Sequence, residues 1–80
     1  MALDAPTPRQ IEVLSLIADG QQNKHIALKL GISENTVEKH ISSLYRRLQV
    51  HTRVEASAMF RYYQATGIWQ QPSGQMPKSD

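Results

Sequence analysis

The sequence predicts an all-α fold, a bundle-like domain of four helices. Three observations lead there. Apolar residues recur at helical spacing in four separate segments. Two threonine-led capping boxes, Thr7 with Gln10 and Thr52 with Glu55, mark helix starts. No stretch alternates apolar and polar residues as a half-buried strand does. With 80 residues the chain makes one small domain and no second core.

The first helix opens at Thr7-Pro8-Arg9-Gln10, where a hydroxyl caps and proline takes the first helical position, at which its missing N–H costs nothing. Ile11, Leu14 and Ala18, with Val13, Leu16 and Ile17 alongside, carry the pattern to Asp19, and Gly20 supplies the left-handed stop. Asn23, a favourable cap, opens a short second helix with apolar Ile26, Ala27 and Leu30, stopped by Gly31. Only Gly31-Ile32 precede the next cap, Ser33. A connection that short makes the flanking helices cross steeply, which is helix-turn-helix spacing with helices two and three as the central pair. Ile32 before the cap and Val37 after it form a hydrophobic staple that sets the direction of the third helix.

The third helix, Glu34 to Gln49, has a narrow apolar stripe of Val37, Ile41, Leu44 and Leu48. At roughly 100° per residue, Asn35, Glu38, Lys39, Ser42, Ser43 and Arg46 fall opposite, with no apolar residue among them. Thr52-Arg53-Val54-Glu55 opens the fourth helix, which ends near Ala65 or Thr66, before Gly67. Ala56, Met59, Phe60 and Tyr63 form its core face. Val54, Ala58 and Ala65, with Ser57, Arg61 and Tyr62 beside them, lie on the other side, where small residues admit a second helix. The domain therefore spans residues 3–67. Residues 68–80, with prolines, a glycine and no apolar period, read as a disordered tail.

Composition narrows the function. Cysteine is absent, which excludes disulfides, thiolate metal sites and cysteine nucleophiles. His25, His40 and His51 lack the spacing of zinc ligands. Glu34 and Glu38, one turn apart beside Lys39, read as surface acids, and the glycines read as helix stops, not as a phosphate loop. The expectation is a protein that is no enzyme and has no cofactor, metal or small-molecule ligand. No apolar run approaches the roughly 18 residues of a membrane span, and the first residues lack the pattern of a signal peptide. A cytoplasmic setting with no membrane partner is expected. The formal charge is +2, but Lys24 to Arg53 holds six basic and two acidic residues, a local +4. A solvated helix surface would give the same count, so position on the fold decides.

Duplex DNA fits this distribution, because a major groove about 12 Å wide admits one helix with a polar outer face. Asn35, Glu38, Lys39 and Ser42 can reach base edges: lysine guanine, glutamate the cytosine amino group, serine or asparagine several bases. Arg46 and Arg47 lie further along the same helix, toward the flanking phosphates. The helix N-termini at Asn23-Lys24 and at Ser33 to Thr36 offer further phosphate donors.

Thr7-Pro8-Arg9-Gln10-Ile11-Glu12-Val13-Leu14, then Gly20, Asn23-Lys24-His25-Ile26-Ala27, Ile32-Ser33-Glu34-Asn35-Thr36-Val37-Glu38-Lys39-His40, and finally Leu48 and Val50, resemble the LuxR/GerE-type (NarL/FixJ-like) DNA-binding domain over about Leu3 to Ala65. The resemblance implies a four-helix unit whose third helix enters the major groove, supported by the second, with the fourth forming a dimer contact on DNA. Residue by residue, it implies base contacts at Glu38, Lys39, Ser42 and Arg46. Phosphate contacts are implied at Lys24, Asn35, Thr36 and Arg47. Members of the family often carry basic residues at the position of Glu38 and near Ser42, and this sequence departs there. For pairing, Val54, Ser57, Ala58 and Arg61 are the expected residues. Such domains usually end a longer regulator, and a two-component response regulator is the expected parent of this homodimeric, DNA-bound unit.

A second reading is a module that grips RNA polymerase, since region 4 of a sigma factor has a similar helix-turn-helix. The stretch Glu38-Lys39-His40-Ile41-Ser42-Ser43-Leu44 is unlike the arginine-rich recognition helix of that group.

Overall fold

Both capping boxes close in the computed structural model, which describes residues 5–70. Thr7 Oγ1 accepts the Gln10 N–H at 3.2 Å while Gln10 Oε1 accepts the Thr7 N–H at 3.0 Å. At the other start, Thr52 Oγ1 accepts the Glu55 N–H, and Glu55 Oε1 accepts the N–H groups of both Thr52 and His51. Each satisfies donors a helix start leaves open, an effect typically near 1 kcal/mol per cap. Four helices result: α1 (Pro8–Ala18), α2 (Asn23–Leu30), α3 (Glu34–Leu48) and α4 (Arg53–Thr66).

Three helix ends share one closure. After α1, α2 and α3 a residue in the left-handed region lets the next N–H bond back five residues: Gln21 to Leu16, Ile32 to Ala27 and Val50 to Tyr45, each at 3.0 Å. Gly20 and Gly31 fill that position without strain. After α3 it is Gln49, at φ 59°, a conformation that costs a side-chain-bearing residue roughly 1–2 kcal/mol. The expected third helix ran through Gln49; it stops at Leu48, and Gln49 turns the chain instead.

The start of α2 also differs from expectation. Asn23 was expected to cap it; it is the first helical residue, Gln22 holds the cap position, and no side chain among the described residues caps the helix. The physical reason lies on α4, because the Asn23 side-chain Oδ1 accepts a hydrogen bond from Arg53 Nη1 at 3.0 Å.

A single apolar cluster joins Val13, Leu14 and Ile17 of α1, Ile26 and Ala27 of α2, Val37, Leu44 and Leu48 of α3, and Ala56, Met59 and Phe60 of α4, together with Val50. Burying one such large side chain stabilises by about 1.5–3 kcal/mol. The main packing is α4 along α1, α2 against α3, and α1 against α3. The molecule is thus two helix pairs, α1 with α4 and α2 with α3, joined chiefly through α1.

Past Gly67 the structure departs from the expected tail. Trp69 packs against the core and stacks on Tyr63, ring centroids 3.9 Å apart and planes 7° from parallel. Tyr63, expected on the core face, is half-buried and spends its ring on this contact. Packing therefore continues through Trp69, because an aromatic pair recovers area that an apolar-period search does not register. Residues 71–80 of the expected tail lie outside the described residues. Among the described residues no helix is long and apolar enough to cross a membrane.

Candidate nucleic-acid interface

The face of α3 follows from how its opposite side is held. Val37, Leu44 and Leu48 are fully buried, with Ile41 half-buried beside them. That stripe turns Asn35, Glu38, Lys39, Ser42 and Arg46 toward one open furrow of about 460 Å³, lined by α3 alone, with Ser43 at its edge. Asn35, Glu38, Lys39, Ser42 and Arg46 are exposed. The four expected base-reading residues, Glu38, Lys39, Ser42 and Arg46, are therefore brought onto one surface. Neither Glu38, Lys39 nor Arg46 enters a salt bridge among the described residues, so their charges are available to a partner.

The helix start is built by Ser33, whose Oγ accepts the Thr36 N–H at 3.0 Å and lies 2.9 Å from Thr36 Oγ1. The Thr36 hydroxyl is thereby engaged with the cap. Lys24 is exposed at the start of α2. Arg47 is placed differently from its neighbours: it is half-buried, Nη1 donates to the Ala5 carbonyl at 3.3 Å, and its Nε is buried with no partner among the described residues. It turns toward the N-terminal segment, held there by that carbonyl through Nη1. Ser43 is likewise turned inward, receiving a hydrogen bond from Gln10 Nε2 at 3.0 Å.

Gln10 is a residue the sequence reading undervalued. Only 4% exposed, it completes the capping box with its oxygen and ties α3 to α1 with its nitrogen. The capping box was visible in sequence, but the second bond spans 33 positions and no local pattern announces it. Arg53 was missed for the same reason; Nη1 reaches Asn23 Oδ1 and Nη2 reaches the Gln21 carbonyl. Burial pushes the Tyr45 phenol above its ordinary pKa, and the positive charge of Arg53 partly opposes that rise.

On α4, Val54 is 78% exposed and Arg61 is exposed, while Ala58 is half-buried. Ser57 corrects the expected outward position: it is buried, because that flank of α4 packs toward the end of α1. It lies in a groove of about 310 Å³ with Ile17, Ala18, Gly20, Arg53, Val54 and Arg61.

Residues 5–60 match the sequence profile described as "Bacterial regulatory proteins, luxR family". The chain belongs to the luxR family. As a luxR-family helix-turn-helix domain it is a DNA-binding unit of transcriptional regulators. It is 52% identical over 58 residues to the "Nitrate/nitrite response regulator protein homolog" of Haemophilus influenzae, covering 72% of this chain and 28% of that protein. It is 48% identical over 54 residues to the "Nitrate/nitrite response regulator protein NarP" of Escherichia coli K12, covering 68% and 25%. Similarity to the "Transcriptional regulatory protein DesR" of Bacillus subtilis is 46% over 50 residues, covering 62% and 25%. The luxR-family chain spans about a quarter of the length of the curated relatives it matches.

Proposed function

We propose that this luxR-family domain is the sequence-specific effector of a bacterial transcription regulator of the response-regulator kind, reading the major groove with α3 and pairing through α4 on two half-sites. The supporting observation is the two-sided build of α3: a buried apolar edge and an open polar face free of apolar residues. A helix with its side chains is about 10–12 Å across, which matches a groove about 12 Å wide. Glu38, Lys39, Ser42 and Arg46 read bases, whereas Lys24, Asn35, Thr36 and Arg47 hold phosphates. Arg47 reaches its phosphate by exchanging the Ala5 carbonyl for it. The reading is a binding module in the cytoplasm, not an enzyme.

Selection of bound duplexes from a random pool, followed by titration of the selected duplex with salt, tests this. The slope of log affinity against log salt should be about −0.9 for each phosphate neutralised. Affinity that stays flat between about 50 and 200 mM salt overturns it. Capture of RNA polymerase with no DNA footprint would favour the sigma-like alternative instead.

Pairing is assigned to Val54, Ala58 and Arg61, with Ser57 on the floor of the adjoining groove. In a two-fold contact the same patch meets itself, so Val54→Asp brings like charges together, at a cost of several kcal/mol. The variant should melt like the parent, since Val54 is exposed, yet protect one half-site where the parent protects two. An unchanged footprint length would move the pairing surface elsewhere.

A further inference from the structure

The helix pairs α1 with α4 and α2 with α3 meet mainly through α1 and share one apolar core, so polar contacts at the ends of α1 can fix the fine angle between them. Two polar tethers sit at opposite ends of that axis. Gln10, in the first turn of α1, holds Ser43 of α3. Arg53, at the first position of α4, holds the Gln21 carbonyl just beyond the end of α1 and the Asn23 side chain at the start of α2. The guanidinium suits this task because its planar fork addresses two acceptors at once, which a single ammonium does not reproduce. Arg53 adjoins exposed Val54, and the two line the same groove. Beyond Asn23 comes Lys24, exposed at the N-terminus of α2.

We propose that Arg53 is a positioning residue that locks the helix-turn-helix against the pairing helix, so that the paired protein discriminates the spacing between half-sites. The inference rests on the reading of α3 as the groove-binding helix and α4 as the pairing helix. In a two-fold assembly on DNA the separation of the recognition helices must match the helical repeat. That separation is set, within each copy, by the angle between α3 and α4. A small change in the angle between the pairs, within what the shared core allows, leaves each half-site bound as before and blurs only the match between the two.

The experiment compares the parent, Arg53→Gln, Arg53→Lys and Asn23→Ala on three duplexes: one half-site, two half-sites at the selected spacing, and two displaced by half a turn, about 5 base pairs. Arg53→Gln should keep single-half-site affinity within about twofold while its preference between spacings falls roughly tenfold, the size of effect that a shared hydrogen-bond network carries. Arg53→Lys should not restore the preference. Asn23→Ala should lose part of it and add nothing to Arg53→Gln in the double variant, and thermal melts check that each variant is folded. An unchanged spacing preference in Arg53→Gln overturns the tether, and so does an equal loss on the single half-site, which would make Arg53 a phosphate contact. If the parent selects no duplex at all, the DNA-reading assignment fails and takes the tether with it.

Discussion

Leu44→Ala should leave the domain largely unfolded at physiological temperature. Leu44 is fully buried on the inner edge of α3, in the cluster that all four helices share. A buried Leu→Ala change costs about 2–5 kcal/mol, transfer and cavity terms together. A core of this size supplies only about 3–5 kcal/mol in total, so the variant removes most of the margin. Each kcal/mol moves the midpoint by about 4–8 °C in a domain this small, and a drop of at least about 10 °C should appear in a thermal melt followed by circular dichroism. DNA binding should fall with it, because the same stripe aims the polar face. Leu28→Ala is the matched control: Leu28 is 73% exposed, and a surface change of this kind stays within about 0.5 kcal/mol. Melting curves that coincide for the two variants would show that α3 is not held by its apolar edge.

Lys39→Ala should abolish much of the discrimination between the selected operator and random DNA. Lys39 stands exposed on the polar face of α3 without a salt-bridge partner among the described residues. One good contact to a base edge is worth about 1–3 kcal/mol of discrimination, and each 1.4 kcal/mol is about tenfold in affinity. The variant should therefore lose about five- to a hundredfold on the operator and far less on random duplex. Lys24→Ala, at the start of α2, should instead weaken both DNAs about equally and lower the salt slope by about one phosphate. Equal losses on both DNAs for both variants would mean that α3 does not face the bases.

What the sequence revealed was whatever short-range chemistry decides. The two threonine caps, the stop at Gly31 and the stripe from Val37 to Leu48 each depend on neighbours within one or two turns, and each stands in the structure as expected. The face of α3 was legible for the same reason: spacing alone sorts Lys39 from Leu44. Residues recruited across the fold were not legible. Asn23 has a good capping side chain, yet Arg53, 30 positions away, takes it. Arg47 looks as free as Arg46 in one dimension, but the Ala5 carbonyl draws it aside. Gln49 carries no glycine-like signal for the left-handed turn it makes. Ser57 is on the outer half of its helix by count and buried by its neighbour α1.

The face-to-face pairing of Trp69 with Tyr63 also furnishes a native optical reporter. The chain has one indole, clamped beyond the last turn of α4 and separate in sequence from α3. Its fluorescence should change when the end of α4 frays or the domain melts, and stay comparatively quiet when α3 meets a duplex. Emission and DNA occupancy can then be followed in one cuvette as independent signals, with no dye attached.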